Sequence, residues 1–426
     1  MSIDEKVASS RNPIGKPDAS TGIYRHGFGL KGDVSSDIES DYTSEIVDCF
    51  RAHDFEMHLD GLDLYLAREF GFCYGVDKAI DYAYQTRRRF PDRRIFLTTE
   101  IIHNPRVNRR LMDMGVVFLT GQYSQGLTYD DVEPEDVVLF PAFGASVAEV
   151  ELLRQRGCTL VDTTCGSVIH VWKRVEKYAR EGFTAVIHGK YSHEETIGTS
   201  SRVTQFENGH YVVVRDRDEA QLVCDFIRGT VASEQIAEKF EKAVSAGFDP
   251  QRHLQRVGVA NQTTMLSSES LEIAGMLKQA MIDRYGPDAI GDHFRSFDTI
   301  CSATQERQDA VQELVRRDLD LILVVGGFNS SNTTHLIEIA SQHTRAFHIE
   351  DISHIISADE LRHKLWDKTE TEIAHGWLSP TPRRIGFTPG ASTPNRAVGN
   401  VIQRVVELLG RAPEFQAACS GIPVGA

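Results

Sequence analysis

Short apolar runs recur along the chain. Each is closed by a turn of small, hydroxyl or amide residues, and a stretch with apolar positions at helical spacing follows. From Leu62 onward the pattern predicts strands at Arg94–Thr99, Val137–Phe140, Thr184–His188, Val257–Ala260, Leu321–Val325, Ala346–Ile349 and Arg384–Phe387. A helix is expected from about Arg106, and a closing helix reaches about Leu409. Residues Ser201 to Asp249 read as a strand and helices of an insert. Strands alternating with helices predict an α/β fold with parallel sheets, in at least three modules. Before Leu62 the chain is polar and mixed, with one helical stretch from Tyr42 to Asp54. Residues 1–61 read as an N-terminal extension packed on the body and partly disordered at its start.

Three of the predicted strand-to-helix turns carry a cysteine. Phe70-Gly71-Phe72-Cys73 opens a helix with Val76, Ala79, Ile80 and Ala83 on one face. Asp162-Thr163-Thr164-Cys165 opens another, with Val168, Val171, Trp172 and Val175. Asp298-Thr299-Ile300-Cys301 opens a third, with Val311, Leu314 and Val315. Parallel sheets bind ligands at the carboxyl ends of their strands. A thiolate at a helix N-terminus is favoured by the dipole and the unpaired amides. The three are too far apart in sequence for a CxxC-type motif, which excludes a ferredoxin-like run and a zinc ribbon. Scattered thiolates suit a [4Fe-4S] cluster that lacks its usual fourth protein ligand, leaving one iron open. Three buried thiols acting as small hydrophobes fit the spacing as well.

The bulk numbers narrow the partners. The 426 residues carry 41% hydrophobic and 25% charged residues, an ordinary soluble composition for two or three domains. A net charge of −15 argues against nucleic acid or an anionic membrane as partner. There is no apolar run of membrane-spanning length and no signal-peptide core, so a cytoplasmic location is expected. Seven widely spaced cysteines in such a chain argue against a disulfide framework.

A second set of residues sits in the remaining strand-end turns. These are His103 with Asn104, His193 with Glu195, Thr263 with Thr264, Ser330-Ser331-Asn332, and Ser392. Short hydroxyl and amide side chains with helix-opening amides suit an anion of the phosphate type. Singly, each would serve equally as a helix cap. No Walker-type loop with its lysine is present, so nucleotide hydrolysis is not supported. Glu195, beside His193 after an apolar strand, is the candidate proton donor.

Taken together, Gly71-Phe72-Cys73-Tyr74-Gly75-Val76, Asp162-Thr163-Thr164-Cys165, His193-Glu194-Glu195, Gln262-Thr263-Thr264, Thr299 to Gln308, Asn329 to Asn332 and Gly390-Ala391-Ser392 resemble the LytB family, in order, over roughly residues 62 to 410. Tyr24 to Gly29 and Pro141-Ala142-Phe143-Gly144 resemble its longer plant and cyanobacterial branch. The resemblance implies three α/β modules with parallel sheets around a central iron–sulfur cluster: 62–165, 166–300 and 301–410, with a tail at 411–426. It implies reductive dehydroxylation of (E)-4-hydroxy-3-methylbut-2-enyl diphosphate to isopentenyl and dimethylallyl diphosphate, the last step of the methylerythritol phosphate route. Cys73, Cys165 and Cys301 match the [4Fe-4S] ligands. His103, His193, Ser330, Ser331, Asn332 and Ser392 match the diphosphate-binding positions. Thr263 matches a hydroxyl near the substrate alcohol, and Glu195 matches the proton donor. Shorter bacterial members carry a histidine where this chain has Phe143, so one donor is absent. Ferredoxin or flavodoxin is the implied electron donor, and the chain is expected as a monomer or homodimer. A cluster-dependent hydro-lyase and a cluster-based redox sensor are the rival readings; turnover without reductant would mark the first, and absence of diphosphate binding the second.

Overall fold

The structure, a computed structural model, describes residues 14–297 and 299–420. Asp298, the start of the extension and the end of the tail lie outside the described residues. The chain packs as two compact units. One comprises Met1–Ala142, Arg156–Thr163 and Glu306–Ala426, and the other Phe143–Gln155 and Thr164–Gln305.

The first unit holds two sheets. A five-stranded sheet runs in the order Ile23–Tyr24, Thr159–Asp162, Val137–Phe140, Ile95–Leu97, Val116–Phe118, all parallel. A seven-stranded sheet runs Thr371–His375, Glu360–Lys364, Ala346–Ile349, Leu321–Val325, Arg384–Pro389, Leu62–Leu66, Glu56–Leu59. Its four middle strands are parallel, and antiparallel strands close both edges. The second unit holds one four-stranded parallel sheet: Phe294–Ser296, Val257–Asn261, Thr184–His188, Tyr211–Val214. The fold is therefore mixed α/β with mostly parallel sheets. The central strands, such as Leu321–Val325 and Thr184–His188, are buried along their whole length. A parallel strand covered on both faces must be apolar throughout, which is why these runs were legible.

Two elements differ from the sequence pattern. Tyr211–Val214 is the edge strand of the four-stranded sheet and not part of an insert. Its helix Arg217–Arg228 packs on the long helix Ser267–Tyr285, closing one core through Val223, Ile227, Ile273 and Leu277. In the N-terminal segment, Ile23–Tyr24 pairs with Thr159–Asp162 and helix Lys31–Tyr42 lies on helix Tyr74–Arg89. Tyr84 donates its hydroxyl to Asp41 at 2.6 Å, and Arg110 meets the same carboxylate at 2.8 Å.

One cysteine pair also departs from expectation. Cys49 and Cys419 form a disulfide, with Cα atoms 5.5 Å apart and 370 residues between them in sequence. It ties helix Glu45–Ala52 to helix Ala412–Cys419. No helix among the described residues is long and apolar enough to cross a membrane.

Candidate active site

Five cysteines stand outside that disulfide, and they fall into two chemical groups. Cys158 and Cys224 are buried, and burial pushes their thiols up to about 11 and about 12. Such thiols stay protonated and behave as small hydrophobes. Cys73, Cys165 and Cys301 are partly exposed. Cys73 occupies the N-cap position of helix Tyr74–Arg89 and Cys165 that of helix Gly166–Arg180, neither sulfur making a capping hydrogen bond, and Cys301 immediately precedes helix Ser302–Leu314. The helix-start position and partial exposure are what a thiolate metal ligand needs.

In the first unit, four strand-end turns come together. The Cys73 amide donates to the Ala391 carbonyl at 3.1 Å. The Ala391 amide in turn donates to the Asn332 side-chain oxygen at 2.9 Å. Ser392 donates its hydroxyl to the His103 carbonyl at 3.2 Å. Gly327 approaches that carbonyl so closely that a Cβ there would lie 2.2 Å from its oxygen. Cys73, His103, Asn332 and Ser392 are thus held by one network of short contacts, and Ser330 and Ser331 open the Asn332 helix.

The chemistry of this set fits an anion. Ser331, Asn332 and Ser392 are buried, and the Nδ2 of Asn332 has no hydrogen-bond partner. A buried donor without an acceptor is costly, so it points to something the site receives. Ser330 accepts from the Thr333 amide at 3.3 Å and so also acts as an ordinary cap. His103 lies 3.3 Å from Glu100, itself gripped by Gln122 at 2.7 Å. Glu100 was invisible in the sequence as a site residue; its only signal is a carboxylate three positions before a strand-end histidine.

In the second unit, Glu195 is 1% exposed and sits in the first turn of helix Glu194–Val203. One carboxylate oxygen accepts from the Thr263 amide at 2.6 Å and the other from the Thr263 hydroxyl at 2.9 Å. His193 caps the helix, its Nδ1 accepting from the Glu195 amide at 3.1 Å. That acceptor role places a neutral ring's proton on Nε2. Phe143 meets the His193 ring edge-to-face, with centroids 5.8 Å apart. The Cys301 amide donates to the Thr263 carbonyl at 3.3 Å, and the Cys301 sulfur lies 3.0 Å from the Thr304 hydroxyl. Helix-start thiol, hydroxyl and buried carboxylate are therefore consecutive neighbours in this unit.

Residues 64–406 match the family described as LytB protein. The chain belongs to the LytB family. Its LytB relatives include the 4-hydroxy-3-methylbut-2-enyl diphosphate reductase of Thermosynechococcus vestitus, 46% identical over 92% of this chain and 96% of that protein. The reductase of the same name from Synechococcus sp. is 47% identical over 90% of this chain and 95% of its own. Both alignments span more of this LytB chain than the family match does, consistent with the longer branch. Among solved structures, the (E)-4-hydroxy-3-methyl-but-2-enyl diphosphate reductase described as the terminal enzyme of the non-mevalonate pathway is 27% identical. It covers 81% of this chain and 99% of its own, with a TM-score of 0.50. The Plasmodium falciparum reductase structure, 22% identical over 82% of this chain and 88% of its own with a TM-score of 0.59, shares the LytB fold.

Proposed function

We propose that this chain reduces (E)-4-hydroxy-3-methylbut-2-enyl diphosphate to isopentenyl and dimethylallyl diphosphate, the final step of the methylerythritol phosphate route. The observation that carries the reading is its likeness to curated reductases of that name along nine-tenths of both chains. In this reading Cys73, Cys165 and Cys301 are the ligands of a [4Fe-4S] cluster. Their helix-start placement, against the buried Cys158 and Cys224, supports that choice. When bound, the cluster would supply electrons singly and an open Lewis-acidic iron. Residues 62–165, 166–300 and 301–410 are proposed as modules serving it, with 1–61 as extension and 411–426 as tail.

The reaction takes up two electrons and two protons, breaks the allylic C–O bond and releases water. Glu195 is the proton source. Once protonated, its carboxyl would give a proton to the Thr263 hydroxyl, which donates to the carboxylate in this structure and would turn its own proton to the departing oxygen; burial excludes competing water from the pair. His103, His193, Ser330, Ser331, Asn332 and Ser392 hold the diphosphate with histidine, hydroxyl and amide donors and helix amides and no metal. A ferredoxin or flavodoxin in the cytoplasm delivers the electrons, and the enzyme acts as a monomer or homodimer.

The assignment is tested by iron–sulfur content and EPR of two single variants. Cys165→Ser should lose the cluster while Cys158→Ser keeps it. The reverse pattern would exclude this ligand set.

A further inference from the structure

The turn before helix Ser331–Ser341 is held by side chains that the proposed reaction does not use. The turn, Gly326 to Asn329, follows strand Leu321–Val325. Neighbouring strand Ala346–Ile349 places His348 opposite Val324 and, on its other side, opposite Lys364 of strand Glu360–Lys364. From there the His348 Nε2 donates to the Gly326 carbonyl at 2.8 Å. Glu350, just past the strand, accepts from the Phe328 amide at 3.0 Å. Lys364 donates its ammonium to the Phe328 carbonyl at 2.8 Å. Both backbone groups of Phe328 are therefore gripped, one by a carboxylate and one by a cation. The Phe328 ring is met edge-to-face by His348 and His354, with centroids 5.0 and 5.1 Å away.

We propose that His348, Glu350 and Lys364 are positioning residues that fix the Gly326–Asn329 turn, and through it the presentation of Ser330, Ser331 and Asn332 to the substrate diphosphate. This rests on the reading of that helix start as the diphosphate site. The geometry favours fixing over mere satisfaction of backbone groups. The Ser330 amide closes on the Gly327 carbonyl at 3.0 Å, and Gly327 lies against the His103 carbonyl. Any drift of the turn therefore moves two parts of the anion-binding set at once. Burial holds His348 down to about 3, so the ring stays a neutral Nε2–H donor throughout the working range. Positioning of this kind changes how well the diphosphate is bound in ground and transition states alike, so it appears in KM.

The test compares Lys364→Met and Glu350→Ala with the conservative Glu350→Gln in the cluster-loaded enzyme. The expected result is that KM for the substrate and Ki for inorganic pyrophosphate rise together by roughly tenfold, which is about 1.4 kcal/mol. Turnover number and cluster absorbance should stay within about twofold, and Glu350→Gln should recover most of the binding. Unchanged KM and Ki, or a fall in turnover alone that tracks folded fraction, would overturn the proposal. Asn332→Ala and Ser331→Ala are measured alongside. If they also leave KM and Ki unchanged, the diphosphate site itself is misassigned; if they raise both while the clamp variants do not, only the clamp fails. Should Lys364→Met not fold, the Glu350→Ala and Glu350→Gln pair decides the matter alone.

Discussion

At the residue scale, the proposed proton source is one buried carboxylate, each of whose oxygens accepts a hydrogen bond from Thr263. Glu195→Gln keeps the shape, its carbonyl oxygen able to accept from the Thr263 amide and its NH2 to donate to the Thr263 hydroxyl, but removes the acid. Turnover should fall by roughly 10²–10⁴-fold with the cluster spectrum unchanged; near-normal turnover would remove Glu195 from the reaction. Thr263→Val removes the hydroxyl that donates to the carboxylate and breaks the proposed relay, so it should lower turnover in the same sense. Much of this was legible because the motif residues carry unusual chemistry for their places: hydroxyls, amides and histidines where a turn needs only a cap. What was not legible were the supports. Glu100, three positions before His103, reads as an ordinary turn carboxylate, while the Asn332–Ala391–Cys73 contacts join residues far apart in sequence, with Ala391 contributing only backbone. Phe143, which adds no donor, instead packs on His193.

At the element scale, the buried parallel strands announced themselves as unbroken apolar runs. The hairpin of Glu360–Lys364 and Thr371–His375 did not, because it lies at a sheet edge, its residues are largely polar, and it buries only Leu361 and His363. Helix Lys31–Tyr42 was missed for a related reason: it buries only Val34 and Tyr42. Two element-scale predictions follow from close packing. Gly144 has φ +85°, and a Cβ there would sit 2.3 Å from the Trp172 ring. Gly144→Ala should destabilise the fold by about 1–3 kcal/mol, read by denaturant unfolding. The other concerns His210 and His253, stacked at 3.6 Å in the second unit. Burial holds both below the usual 6.5, with Arg252 adding to it in each and His210 further lowering His253. Their folded pKa values lie below the unfolded ones, so the unfolded chain takes up these protons first. Stability is therefore full above about 6.5 and falls as pH drops toward the folded values. Thermal melts should show this fall, and a His210→Phe, His253→Phe double variant should flatten it; an equally steep fall in the double variant would assign it elsewhere.

At the scale of the whole molecule, the Cys49–Cys419 bond is the feature that spacing could not reveal, since its ends are nearly the length of the chain apart. The terminal helix it secures buries only Phe415. Cys419→Ser should cost about 2–4 kcal/mol and raise amide exchange over residues 412–420, while leaving iron content unchanged. Loss of iron in that variant would contradict the division of the cysteines into one structural pair and three ligands. That division, and the reduction it supports, meet their most direct test in one anaerobic assay. Purified protein is given reduced methyl viologen, with and without (E)-4-hydroxy-3-methylbut-2-enyl diphosphate. A brown protein that oxidises about two equivalents of dye per substrate, and only when substrate is present, is the predicted result. A protein that stays colourless after iron–sulfur reconstitution and leaves the dye reduced would contradict the account.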